Sequence, residues 1–226
     1  MPLNVRMDAK GAHMILETRA VPPFFKNGFV IGCEDTREGI VIDPGDDVEL
    51  LLEAVKQHQL KIKYILLTHA HLDHITGVGR AKEVLGVPVV LHRDDNFLYE
   101  AVVQQGQMFG LAVERQPPVD AFYDGSGPWT FGNYAAWVYH TPGHCPGGVC
   151  LAVGRTSSAE RTLFVGDTLF AGSIGRTDLP GGDLPTLMRS IREVLFSFPD
   201  ESVVHSGHGE QTTIGREKRT NPYVTS

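Results

Sequence analysis

A chain of 226 residues, 42% of them hydrophobic, has room for one large domain or two small ones, and we expect a single domain over residues 1–226. No apolar run reaches the roughly 18 residues that cross a bilayer, and the N-terminal stretch has no leader-type apolar block, so a cytoplasmic protein with no membrane partner is expected. A net charge of −7 without a Lys/Arg cluster points away from nucleic acid, and Cys33, Cys145 and Cys150 form neither a disulfide framework nor a C-x-x-C metal knuckle.

Short apolar runs read as strands at His13–Thr18, Gly28–Cys33 and Gly39–Asp43. After the turn Pro44-Gly45-Asp46-Asp47, the segment Val48–His58 has helical spacing, with Leu51, Leu52 and Val55 on one side. Lys63–Leu67 has the composition of a buried strand. Asp73–Leu85 reads as a helix, Val87–Leu91 as a strand and Asp94–Gln107 as a second helix. Trp129–Phe131 and Tyr134–His140 are strands joined by a Gly-Asn turn. Strands at Val149–Val153 and Arg161–Val165, a long helix at Leu184–Phe198 and a strand at Ser202–His205 complete the series. The strands fall into two groups, each closed by helices, an α/β pattern that suits two packed sheets with helices outside. Periodicity alone does not separate this from a doubly wound sheet, so the motifs must decide.

The densest chemical signal is Thr68-His69-Ala70-His71-Leu72-Asp73-His74, directly after the apolar run Tyr64-Ile65-Leu66-Leu67. In extended backbone, side chains two apart project to the same side, so His69 and His71 can grip one ion. Asp73 and His74 fall where the chain turns into a helix and can face a second. Imidazole nitrogen and carboxylate oxygen are the donors expected for zinc. Further candidates close three later strands: Gly143-His144, Gly166-Asp167 and Gly207-His208. Each follows a glycine, which lets backbone pass close to a crowded site. Of the remaining histidines, His13, His58 and His92 lie in segments without ligand partners nearby, and His140 and His205 read as structural or as supports behind the ligands.

This series of T-H-x-H-x-D-H, G-H, G-D-T and G-H resembles the metallo-β-lactamase superfamily. More closely, it resembles the glyoxalase II group, the hydroxyacylglutathione hydrolases. Asn27, Val41-Ile42-Asp43-Pro44-Gly45, Gly166-Asp167-Thr168-Leu169-Phe170 and Gly175-Arg176-Thr177-Asp178 support the likeness. Thr212-Thr213-Ile214-Gly215-Arg216-Glu217 and Asn221-Pro222 resemble its short, single-domain bacterial branch. The resemblance implies a four-layer αββα sandwich and two divalent metal ions, zinc first, with iron or manganese as alternatives. His69, His71 and His144 would hold one ion, Asp73, His74 and His208 the other, and Asp167 would bridge them. Asp43 would stand behind the histidines and fix their orientation.

The implied activity is hydrolysis of a small-molecule thioester such as S-lactoylglutathione, by a water that the two ions convert to hydroxide. Asp73 would hold that hydroxide as well as the second ion. Larger glyoxalase II enzymes carry a C-terminal helical segment with basic and tyrosine contacts to glutathione. This chain runs only 18 residues past His208, so loose recognition of glutathione is expected. The stretch Asp94–Glu114, with Met108, Phe109 and Leu111, is expected either to wall the pocket or to bury ordinary core. The rival readings are a persulfide dioxygenase with a single iron on His69, His144 and Asp167, and a lactonase of the same superfamily. The closing Ser-Gly-His-Gly and Thr-Thr-Ile-Gly fit the hydrolase branch better than the dioxygenase.

Overall fold

The computed structural model describes residues 6–7, 13–125 and 127–225. Residues 1–5 and 8–12, on which the expected absence of a leader partly rests, lie outside the described residues. The chain opens with an antiparallel meander of β1 (Arg6–Met7), β2 (His13–Arg19), β3 (Gly28–Cys33) and β4 (Glu38–Ile42). Helix α1 (Val48–Gln57) then carries the chain back, and β5 (Lys61–Leu66) joins β4 in parallel. Helices α2 (Leu72–Ile75) and α3 (Val78–Leu85) lead to β6 (Val89–Leu91). Helices α4 (Asn96–Glu100) and α5 (Val102–Met108) lead to β7 (Ala121–Phe122). Both strands add in parallel, which requires long crossovers and so places helices on one face of this seven-stranded sheet.

The second sheet is another antiparallel meander: β8 (Trp129–Phe131), β9 (Tyr134–His140), β10 (Val149–Arg155) and β11 (Thr162–Phe164). A small hairpin, β12 (Leu169–Phe170) and β13 (Ser173–Ile174), follows. Helix α6 (Leu184–Arg189) then precedes β14 (Val203–His205), which pairs with β11 in parallel. β15 (Thr212–Thr213) and α7 (Ile214–Thr220) end the fold.

The layers follow from the two-residue period of the strands. In β10, Val149, Leu151 and Val153 point at the first sheet, where they meet Phe29, Ile31, Ile40 and Ile42. Cys150 and Ala152 point the other way, against Leu187, Ile191 and Leu195 of the α6 segment. Likewise Val30 in β3 faces α1 and α3 while its neighbours Phe29 and Ile31 face the second sheet. Each sheet is therefore apolar on both faces, and the order of layers is helices, sheet, sheet, helices, the αββα sandwich of the metallo-β-lactamase fold. Burial on both faces also explains why β3 and β10 read as unbroken apolar runs.

The helices depart from their expected outlines for local reasons. The span Asp73–Leu85 is two helices, because the Pro44-Gly45 turn wedges against it. The Gly77 amide donates to Pro44 O at 3.0 Å instead of continuing the helix, and a Cβ on Gly77 would lie 2.2 Å from Gly45 O. The span Asp94–Gln107 is likewise divided into a 3-10 turn at Arg93–Asp95, α4 and α5. After α6 the expected long helix continues as a π turn, Ser190–Val194, and a 3-10 turn, Leu195–Ser197.

Leu151→Ala tests the layered packing. Its side chain is fully buried between the sheets, so truncation should cost about 2–5 kcal/mol. Truncation of the more exposed Leu50 on α1 should cost less than about 1 kcal/mol. Chemical denaturation of both variants measures the contrast.

Candidate metal centre

Strands β4, β5, β9, β11 and β14 all run toward one edge of the sandwich, as their parallel and antiparallel pairings require. Asp43 follows β4 and Thr68 to His74 follow β5, while His144 lies in the loop after β9. Asp167 follows β11 and His208 follows β14. All seven candidate ligands, with Asp43 behind them, thus meet at one edge although they span 140 positions of sequence.

They form two groups. His69, His71 and His144 each bring a ring nitrogen within 4.8 Å of the others, and Asp73, His74 and His208 do the same with a carboxylate oxygen and two nitrogens. Asp167 stands between the groups. Its Oδ2 is 3.7 Å from His144 Nε2 and 3.5 Å from His208 Nε2, and its Oδ1 is 3.4 Å from His74 Nε2. His69 Nε2, His74 Nε2 and Asp167 Oδ1 are buried and make no hydrogen bond of ordinary geometry among the described residues. Such an atom normally costs about 1–3 kcal/mol. Several of them converging on one space, all nitrogen or carboxylate donors, fit divalent metal ions of the zinc, iron or manganese type. His71 turns Nδ1 to within 2.8 Å of His144 Nε2, while its own Nε2 is buried without a partner.

Outer hydrogen bonds fix the other four rings. His74 donates from Nδ1 to Asp43 Oδ2 at 2.9 Å. Asp43 also accepts the Thr68 amide at 2.7 Å and the Thr68 hydroxyl, and Thr68 Oγ1 in turn takes the Nδ1 proton of His69 at 3.1 Å. His144 donates from Nδ1 to Arg176 O at 2.8 Å, and His208 from Nδ1 to Phe24 O at 3.2 Å. Each bond turns the opposite nitrogen, Nε2, inward and sets the tautomer a cation needs. Asp43 thus bonds to His74 directly and reaches His69 through Thr68.

Close approach requires two of the glycines. A Cβ on Gly207 would lie 2.0 Å from Asp167 Oδ1 and 2.7 Å from His74 Cε1. Gly166 has φ of +51°, and a Cβ there would meet Thr68 Oγ1 at 2.5 Å. The glycine before each candidate ligand, legible in the sequence, has this steric meaning at both positions.

Three further residues support the cluster, and of these only Asn27 carried part of the family resemblance. Lys26 is buried, and its Nζ donates to Asp43 O and, at 3.0 Å, to Asp47 Oδ1. Asn27 uses its side-chain amide to donate to Ser206 O and Gly209 O, at 3.0 Å each, flanking His208. Gln105 accepts the Leu72 amide and donates to Ala70 O, bracing the backbone between His69 and Asp73. A polar residue inside an amphipathic helix was the only hint for Gln105. Of the two expectations for the stretch Asp94–Glu114, burial of ordinary core is met. Leu98, Tyr99 and Val102 join the core, whereas Phe109 is exposed and stacks edge-on at 6.0 Å against Phe24, whose carbonyl holds His208. His208 has a 30% exposed side chain against 0% for His74, so solvent reaches the cluster from this side.

His92 does have ligand-type neighbours, contrary to the expectation from its segment: Asp94 and His140 lie within 4.8 Å of it. The His92 and His140 rings, however, stack 4.2 Å apart at an interplanar angle of 10°. Imidazole lone pairs lie in the ring plane, and one ion cannot lie in two parallel planes, so the geometry is that of a stack and not of a chelate.

Charges in the cluster are strongly coupled. Burial pushes the His74 pKa down, but Asp73 and Asp167 overcome it and raise it to about 10. For His208, burial is again outweighed, and hydrogen bonds to Asp167 and Asp73 raise the pKa to about 9. Burial and neighbouring imidazoles hold His69 low and His71 at about 3. Near neutral pH, then, His74 and His208 carry protons that a cation must displace, and His69 and His71 do not. Binding at the Asp73, His74 and His208 group should release about two protons, and its affinity should rise with pH until pH exceeds these raised values. An indicator-dye measurement of protons released on zinc addition checks this; release of none would contradict it.

A family model described as the metallo-β-lactamase superfamily matches residues 21–208. The hydroxyacylglutathione hydrolase GloC of Haemophilus influenzae is 37% identical over 94% of this chain and 99% of its own. Among solved structures, the BLEG-1 B3 metallo-β-lactamase superposes with a TM-score of 0.84 at 36% identity, covering 94% of this chain and 100% of that one. TTHA1623, solved in a di-iron-bound form, gives 0.79 at 39% identity, covering 92% and 99%. Likeness of this extent means that the chain belongs to the metallo-β-lactamase superfamily.

Proposed function

We propose that this chain is a binuclear metal-dependent hydrolase acting on small-molecule thioesters, S-lactoylglutathione among them. The observation that carries the reading is Asp167, whose Oδ2 lies near His144 of the first group and His208 of the second, and whose Oδ1 lies near His74 of the second. In this reading His69, His71 and His144 hold one ion, Asp73, His74 and His208 hold the second, and Asp167 touches both. The imidazole-rich donor set favours zinc, and the carboxylates accommodate iron or manganese. The name of the Haemophilus relative supports a thioester, and the di-iron form of TTHA1623 supports iron as an alternative metal.

When bound, two such ions polarise a substrate carbonyl and lower the pKa of a water. The chain's own residues supply orientation. Asp73 lies at the more open side of the cluster, its Oδ2 3.1 Å from His208 Nε2, where it can accept a proton from the attacking water in a hydrogen bond. Asp43 and Thr68 hold His74 and His69 in register, so the donors do not reorganise during the reaction. A leaving thiolate, with a pKa of about 8.5, departs without a protonated partner. The cluster accordingly has no side chain set aside as a general acid.

Elemental analysis of protein purified with adequate metal should give about two ions per chain. One tightly held iron, with oxygen uptake on glutathione persulfide, would replace this reading by oxidation at His69, His144 and Asp167. Asp167→Ala should lower turnover at least about a hundredfold, since changes behind the ligands alone cost 10–100-fold; normal metal content and rate would show that Asp167 is no bridge. A panel of thioesters, lactones, β-lactams and phosphodiesters tests the substrate class. Without a general acid, a thioester should react at least about a hundredfold faster than the matching alkyl ester. A preference for lactones or β-lactams would move the chain to another branch of the superfamily.

A further inference from the structure

Asp95 lies beside the cluster but outside both groups of candidate ligands. It occupies the N-cap position of α4, where an aspartate ordinarily accepts the helix's own first amides, yet it makes no cap bond. Its fully buried carboxylate is committed elsewhere. Oδ2 accepts the Ala70 amide at 3.0 Å, and Oδ1 accepts the Gly147 amide at 2.6 Å. The Cys145 thiol bonds to the same side chain. Ala70 stands between His69 and His71, Cys145 follows His144 directly, and Gly147 lies two residues further on. One carboxylate therefore ties together the two loops that carry the three imidazoles of the first group. Gly147 is shaped to admit it, since a Cβ there would lie 2.6 Å from the Asp95 amide nitrogen and 2.8 Å from its Cβ. The second group is supported from other places: Asp43 holds His74, and Phe24 and Asn27 hold His208 and its flanks.

We propose that Asp95 is a positioning residue that sets the spacing of His69, His71 and His144, and through it the affinity of the first ion site but not of the second. The proposal rests on the two-ion reading above. It is tested by titrating the full chain with Co²⁺ and following visible absorption. His144→Ala and His208→Ala assign the bands to the first and second sites. The wild type must take up two ions; uptake of fewer removes the two-ion reading itself and the proposal with it.

In Asp95→Asn, an NH2 group faces one of the two backbone amides where an acceptor stood. First-site affinity should fall about 10–100-fold, with a changed first-site band, while second-site affinity stays within about threefold. Equal losses at both sites, or an undiminished first site in a chain that binds two ions, overturn the proposal. If Asp95→Asn does not fold, Gly147→Ala crowds the same carboxylate without altering its charge. The same selective loss supports the proposal, and an equal loss at both sites overturns it.

Discussion

Asp167 is a carboxylate enclosed by imidazoles at the point where β11 ends, and much of the structure can be read as the means of keeping it ionised there. Burial opposes its charge, while His74 and His208 hold its pKa well below the usual carboxylate range. A charge removed from water is tolerated only with close, well-directed partners. Those partners must come from both sheets, because His74 follows a strand of the first and His208 a strand of the second. Backbone must also come within contact of the carboxylate, and Gly207 allows it, since a Cβ there would lie 2.0 Å from Asp167 Oδ1; Gly175 likewise admits close approach to the Asp167 backbone carbonyl, 1.9 Å from where its Cβ would lie.

The same constraint organises what lies behind the ligands. Asp43 is buried and accepts three hydrogen bonds, two from Thr68 and one from His74, so it joins the β4 end to the β5 loop and to α2. Lys26 brings a buried cation to the Asp43 carbonyl and to Asp47. This pairing welds the segment before β3 to the turn after β4. Without Asp47, Lys26 would be a charge in a closed space with only a carbonyl for company, which is why the turn keeps an aspartate that solvent never reaches. The polar interior at this edge is a connected network in which most members hold a neighbour in place.

Much of this was legible because the ligands cluster by type and by position. Three histidines and an aspartate within six residues, after an apolar strand, have few structural explanations, and the later Gly-His and Gly-Asp pairs all close strands. Layering was legible for a related reason, since strands buried on both faces, such as β3 and β10, must lie between two layers, but the choice of sandwich over doubly wound sheet came from the motifs. The supports were not legible. Lys26, Asp95 and Gln105 are ordinary polar residues in sequence, and their meaning depends on backbone amides and carbonyls that only folding brings near. Helix continuity failed similarly. Gly77 alone is a weak local mark of the break in Asp73–Leu85, whose cause is the Pro44-Gly45 turn about thirty residues earlier. α7 was overlooked because it is short, although Thr213 caps it by accepting the Arg216 amide.

The Asn27 clip has a consequence for how the centre comes into being. Its two side-chain bonds join positions 179 and 182 residues apart. Closing so long a loop costs entropy that is recovered only once the intervening sheets have docked. His208, held by Phe24 and flanked by the Asn27 clip, thus depends on contacts of very large sequence separation, a kind of pairing that slows folding in general. His69, His71, Asp73 and His74 lie together on one short segment. The centre joins a locally encoded half to a half delivered by topology.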